Sequence, residues 1–216
     1  YIELRFEKPI IDHEFSIEVH PNFTTEKHLE TLAGLGFNRI SLGVQDFDPA
    51  VQYIINRPQS FEVTKEVIEW SLKHGYKSIN IDLIFGLPKQ TIDSIDFTIE
   101  KVNQLNPDRI AFYSYAHVPW KSKGQRRYED EDVPKALEKW KMYQHGRELL
   151  MKNDFVPIGM DHFAKSTDKM FKAFREGDLH RNFMGYTTTN NKLLIGLGCS
   201  SISDAWGGFA QNNKVV

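Results

Sequence analysis

Glu18, Gln45, Arg57 and Asp82 are the residues whose types and spacing are best suited to chemistry. Three of them belong to sets of polar side chains at alternate positions in short runs otherwise made of Ile, Leu, Val and Phe. The sets are Ser16, Glu18 and His20 in FSIEVH, Arg39, Ser41 and Gln45 in RISLGVQ, and Asn80 and Asp82 in INIDLIF. Successive strand residues point to opposite faces, so each run carries one polar and one apolar face. A parallel strand covered on both sides is expected to be apolar on both. Leaving such groups buried and unpaired costs about 1–3 kcal/mol each, so the alternation predicts a pocket for a polar ligand. Ionised Glu18 and Asp82 accept hydrogen bonds and suit an amine or a pair of sugar hydroxyls, while Gln45 both donates and accepts. Arg57, in NRPQ, can grip a carboxylate in a two-pronged contact. Together they suit a zwitterionic, nucleoside-like ligand. The alternative is internal pairing of Glu18 with Arg39 or of Asp82 with Arg57.

Other polar residues carry weaker signals. His20, His117, Asp161 and His162 fall near strand ends, as metal ligands do in barrel hydrolases, but no HxH or HExxH accompanies them, and hydrogen-bonded structural roles are expected instead. The single cysteine, Cys199 in GLGCSSIS, reads as a small buried packing residue. It rules out an intrachain disulfide framework and fits a reducing cytoplasm. An iron–sulfur cluster needs several thiolates, more than this sequence offers. Gly86-Leu87-Pro88 reads as a turn ending a strand, with backbone amides available to the pocket. The GLG at 196–198 is too short for a dinucleotide fingerprint. The four tryptophans and FYSY (112–115) are expected in the core and at its rim.

The elements that position these residues follow a loose repeat of helix, turn and strand. The clearest units are TEKHLETLAGLGFNRISLGVQ and EVTKEVIEWSLKHGYKSINIDLIFGLP, with two more reaching FYSYA and GMDHF. Gly36, Gly75 and Asn106-Pro107 sit where helices end. Helix then strand with short joints predicts a parallel α/β fold, and the repeat length matches a barrel βα unit. Five or six strands are too few to close an eight-fold barrel. The fold class is therefore α/β, a partial, open TIM-type barrel, with extra strands at one edge from Gly185 onward. Residues 1–216 read as one partial domain, and a start at Tyr1 reads as a piece of something longer. A net charge of −2, spread along the chain, offers no field for nucleic acid or an anionic membrane. No apolar run approaches a membrane span, and YIELRFEKP does not form a signal peptide. The one charge switch, KSKGQRRYEDEDVP (121–134), runs four basic residues into four acidic ones.

The runs GFNRISLGVQDF, NRPQ, NIDLIFGLPKQT, LNPDRIAFYSYAHVP, IGMDHFAK and HRNFMGYTTTNNKLLIGLGCSSIS together resemble the oxygen-independent coproporphyrinogen III oxidases, radical S-adenosylmethionine (radical SAM) enzymes of haem biosynthesis. The first blocks also occur in relatives such as the haem chaperones, whereas the GMDHFA and HRNF blocks are particular to the oxidases. The resemblance implies a radical SAM barrel, SAM and a [4Fe–4S] cluster as cofactors, and coproporphyrinogen III as substrate. Two of its propionates, those on rings A and B, would be oxidatively decarboxylated through a 5′-deoxyadenosyl radical to give protoporphyrinogen IX. An external electron donor and acceptor, a cytoplasmic location and a monomeric full-length protein are implied as well. Residue by residue, Glu18 and Ile202 would contact one SAM, while Gln45, Arg57, Asp82 and Ala116 would line the site of a second. The family's CxxxCxxC loop and Gly-Gly-Thr segment do not occur in the sequence, so it is expected to be a central part, inactive alone, of a longer enzyme. Arg126 and Arg127 are expected either to hold substrate carboxylates or to form a solvated loop. Two alternatives stand beside the oxidase: a haem-binding chaperone relative, or a metal-dependent barrel hydrolase.

Overall fold

The computed structural model describes residues 13–121, 123–182, 185–190 and 192–214. The YIELRFEKP start and positions 183, 184 and 191 of the HRNF block lie outside the described residues.

Strand β1 (Ser16–Val19) leads through helix α1 (Glu26–Gly34) to β2 (Arg39–Gln45). Helices α2 (Pro49–Ile54) and α3 (Phe61–Lys73) follow, then β3 (Ser78–Phe85), α4 (Ile92–Leu105) and β4 (Arg109–Ser114). The helices start where side chains can cap them. Thr25 and Thr91 form capping boxes before α1 and α4, and Asp48 accepts from the Ala50 and Val51 amides ahead of Pro49 in α2. They end as the sequence predicts: Gly36 and Gly75 take φ of 94° and 86°, and Asn106 is left-handed at 53°. After α5 (Ala136–Lys152), strands β5 (Phe155–Gly159) and β6 (His162–Lys165) precede α6 (Lys169–Glu176).

Six strands pair in the order β1-β2-β3-β4-β6-β5. The first four are parallel, and β6 runs antiparallel to both β4 and β5. The sheet is open, as five or six strands predict. One face is apolar: Ile40, Leu42, Ile79, Ile81, Leu83, Ile110, Phe112 and Phe163 are buried with Leu29, Val67, Ile95, Ile99 and Leu150. Burying side chains of this size contributes about 1.5–3 kcal/mol each, so the apolar half of the alternation anchors the fold and leaves the polar half for other work. A buried ion pair, Arg109 Nε to Asp168 Oδ1 at 2.7 Å, ties the start of β4 to the start of α6.

The described residues divide into two compact units, one ending at Phe171 and the other beginning at Lys172. In the second, β7 (His180–Asn182) pairs with β8 (Gly185–Thr187), and β10 (Ile202–Ala205) pairs with β9 (Leu193–Leu194) and β11 (Gly208–Gln211). Strands do form from Gly185 onward, but in small antiparallel sheets of their own; the strands added at the edge of the large sheet are β6 and β5. Cys199 is exposed rather than buried, its thiol donating to the Lys214 carbonyl at 3.1 Å, because this unit of short strands has little interior to hide it in. Trp120, Trp140 and Trp206 are likewise exposed, and of the four tryptophans only Trp70 packs on the core.

Candidate functional site

Register places the polar residues in two rows across the sheet. Glu18 lies opposite Ser41, Ser41 opposite Asn80, and Asn80 opposite Arg109. One step toward the strand C-termini, Gly43 lies opposite Asp82, Asp82 opposite Ala111, and Ala111 opposite His162. Partners in register share a face, so Asp82 stands between two residues with almost no side chain.

The Asp82 carboxylate is well held. Ser41 Oγ donates to one oxygen at 3.0 Å and Asn80 Nδ2 to the other at 2.8 Å, while Asn80 Nδ2 also donates to Ser41 Oγ at 2.8 Å. Burial raises its pKa above the usual carboxylate value, opposed by the Ser41 and Asn80 hydrogen bonds. Glu18, exposed on β1, pushes in the same direction as burial. Arg57 donates from Nη2 to the Gly43 carbonyl at 2.6 Å, and its Nε is buried without a hydrogen-bond partner. The expected internal pairs do not form: Arg39 bonds Glu14 at 2.7 Å, and no ion pair joins Asp82 to Arg57 or Glu18 to Arg39. Charged groups on this face thus keep binding capacity.

Gln45 ends β2 at a register shift, with φ of 71°. Its Nε2 and Arg57 Nη2 both crowd Gly43, where an added Cβ would stand 3.0 Å and 2.9 Å from them. Ala116 is exposed in the loop after β4, which the Gln125 amide clamps by accepting from Val118 N at 2.5 Å and donating to the Ala116 carbonyl at 3.1 Å. Lys139 on α5 donates to the Tyr115 carbonyl at 2.5 Å. Glu18, Gln45, Arg57, Asp82 and Ala116 therefore belong to β1–β4 and the segments that follow them. Ile202 lies in the second unit, opposite Gln211.

Sequence reasoning missed the supports. Gln125 stands in a stretch singled out only for its charges, and Gln90 takes the Gly86 and Leu87 amides at 2.6 and 3.1 Å, so those amides are committed within the chain. The histidines have local partners: His20 Nδ1 accepts from Asn22 N at 3.3 Å, His117 meets Asp130 at 3.1 Å and His162 meets Asp161 at 2.6 Å. Among the described residues no three His, Cys, Asp or Glu gather as a metal site. Arg126 donates to the Pro119 carbonyl at 3.0 Å, and Arg127 lies over the Tyr53 ring, 6.0 Å from its centre.

A family model described as the radical SAM superfamily matches residues 1–102. The chain has the fold of that superfamily. It superposes on the solved structure of Escherichia coli coproporphyrinogen III oxidase, a radical SAM enzyme, with a TM-score of 0.90 and 44% identity, covering 94% of this chain and 47% of that one. An archaeal Elp3 from Methanocaldococcus infernus, 20% identical with a TM-score of 0.51 over 62% of this chain and 32% of its own, shares the fold alone.

Within that class the chain is similar over nearly its whole length to the oxygen-independent coproporphyrinogen III oxidases. That of Paracoccus denitrificans is 44% identical over 92% of this chain and 44% of its own length. That of Escherichia coli is 44% identical over 94% of this chain and 44% of its own. The chain thus spans less than half the length of these curated relatives. SAM and a [4Fe–4S] cluster are the cofactors this class implies. Donors and acceptors on the polar face, including the partnerless buried Arg57 Nε, fit SAM's amino-acid and ribose groups. The cluster does not fit the residues present, since the 216 residues contain one cysteine.

Proposed function

We propose that this chain forms the SAM-binding heart of an enzyme that, in full, oxidatively decarboxylates coproporphyrinogen III to protoporphyrinogen IX. The observation that carries the reading is the Asp82 carboxylate, fixed by Ser41 and Asn80 beside Gly43 and Ala111 on the polar face of the sheet. Given one electron by a reduced [4Fe–4S] cluster, SAM would supply the power to take a hydrogen atom from carbon. The chain's own residues bind and orient. Glu18 would accept from one SAM, while at the site of a second Asp82 accepts from ammonium or ribose hydroxyls, Arg57 turns its spare donors to a carboxylate, and Gln45 does either. Ala116 leaves room for the ligand beside the clamped loop after β4. Open strand ends would exclude water only once the ligand fills them.

The substrate's propionates are anionic, and Arg126 and Arg127 are exposed cations on the segment that follows this loop. In the full-length protein, replacing both with Ala is expected to weaken coproporphyrinogen III binding; unchanged affinity removes them from the substrate site. The single cysteine agrees with a cytoplasmic protein, and no helix among the described residues is long and apolar enough to cross a membrane. An external electron donor and acceptor complete the reaction, with the full-length protein acting as a monomer.

The test is SAM binding by equilibrium dialysis on the full-length protein and its Asp82→Ala variant. Losing a hydrogen-bonded charge of this kind costs roughly 1.5–3 kcal/mol, so affinity should fall about ten- to a hundredfold with circular dichroism unchanged. Equal affinity in the two proteins would overturn the assignment.

A further inference from the structure

Next to the candidate site residue Gln45 lies a buried carboxylate that the reading above does not use. Asp46 directly follows Gln45 and is wholly inaccessible to solvent. The Asp46 amide donates back to the Val44 carbonyl at 3.0 Å, closing a tight three-residue turn around Gln45. With φ of 71° at Gln45, this is the sparsely populated left-handed form of such a turn. A residue other than glycine persists there only where its surroundings over-determine it.

Those surroundings converge on Asp46. Its carboxylate accepts from the Asp48 amide at 2.6 Å, from Thr98 Oγ1 on α4 at 2.8 Å, and from Gln90 Nε2 at 2.6 Å. Its carbonyl accepts from Gln52 Nε2 on α2 at 2.8 Å. Thr98 Oγ1 also receives the Phe47 amide at 3.0 Å, so its own proton is directed at Asp46. Gln90 in turn donates to the Ile84 carbonyl at 2.9 Å and takes the Gly86 and Leu87 amides. One carboxylate thereby links the ends of β2 and β3 to α2 and α4. Every partner is a donor, the arrangement an ionised carboxylate requires. An isolated carboxylate would not be buried at this depth without such pairing.

We propose that Asp46 is a positioning residue: it holds Gln45 in the left-handed turn that presents its amide beside Arg57, and couples that turn to the Gly86-Leu87-Pro88 turn at the end of the next strand. The proposal rests on the reading of Gln45 as a SAM ligand. Asp46 itself touches no ligand and acts through the backbone of its neighbour.

The experiment is a double-mutant cycle on SAM affinity in the full-length protein, with variants Q45A, D46N and Q45A/D46N and with thermal midpoints recorded alongside. Asn keeps one acceptor oxygen for Asp48 and Thr98 but turns an NH₂ toward Gln90 Nε2, breaking that one link. D46N is expected to weaken SAM binding roughly tenfold, about 1.4 kcal/mol. The double variant should bind no more weakly than Q45A alone, because Asp46 acts only through Gln45. If D46N fails to fold, T98V, which removes one donor to the same carboxylate, takes its place in the cycle. Losses that multiply in the double variant, or a D46N that binds as the parent does while Q45A is impaired, overturn the positioning role alone. Unimpaired binding by Q45A overturns the site assignment, and this proposal with it.

Discussion

At the scale of single residues, Gly43 shows how a missing side chain shapes a polar site. Arg57 Nη2 reaches the Gly43 carbonyl at 2.6 Å across the space a Cβ would occupy, and Gln45 Nε2 borders the same space. A methyl group there would lie 2.9 Å from the guanidinium and 3.0 Å from the amide, closer than atoms settle without displacement. Both are polar ends of flexible side chains, so the strand itself need not move. Gly43→Ala is therefore expected to leave the thermal midpoint within a few degrees of the parent while lowering SAM affinity in the full-length protein at least several-fold, since two groups proposed to bind SAM are re-aimed together. A variant that binds normally would show that Arg57 and Gln45 do not act from the positions they hold here. Asp82 differs in that its hydrogen bonds come from Asn80 on its own strand and Ser41 on the adjacent one, neither of which borders the Cβ position at Gly43.

At the scale of elements, the strands were the most legible part of the sequence. Alternation in RISLGVQ and INIDLIF placed Ser41, Asn80 and Asp82 on one face, and the register sets them side by side. At Gln45 the same logic gives the face, where its Nε2 borders the Gly43 position, but not the local geometry. Strict alternation assigns it to the polar face as one more strand residue, but the ladder slips between Gly43 and Gln45, and a left-handed turn re-aims the side chain. Nothing local announces that turn, because the groups enforcing it, Gln90 and Thr98, are supplied by sequence 44 and 52 residues away. Ala116 and Ile202 lie beyond residue chemistry for a simpler reason: methyl and butyl side chains offer no reactive group, and only the family resemblance singled them out. The misplaced Cys199 and Trp206 share one cause, whereas Trp120 sits in the loop after β4 and Trp140 on the exposed side of α5. Apolar character predicts burial only where an element has a core to turn toward, and the short strands after Gly177 provide little of one.

At the scale of the whole molecule, the buried acids of the polar network make stability depend on pH in a definite direction. Burial pushes the Asp46 carboxyl up to about 6 from an ordinary value of 3.8, against the pull of its Asp48, Thr98 and Gln90 hydrogen bonds. An acid whose pKa is higher in the folded state keeps its proton there while the unfolded chain has already released it. Between the two values the folded state binds more protons, so stability falls as pH rises through that window and levels off above it. Asp82, also raised by burial, adds a slope of the same sign. For Asp46 alone the change amounts to about 3 kcal/mol across the window at 1.36 kcal/mol per pKa unit. Thermal or urea unfolding of the full-length protein and of D46N, followed from about pH 4 to pH 7, isolates the term, because groups common to both proteins cancel in the difference. The parent should lose ground to D46N steadily up to about pH 6 and hold a constant offset beyond. A difference that instead grows in the parent's favour with rising pH would mean that hydrogen bonds to the ionised carboxylate outweigh its burial. Asp46 would then be a net source of stability at neutral pH, not a cost the fold bears to keep Gln45 in place.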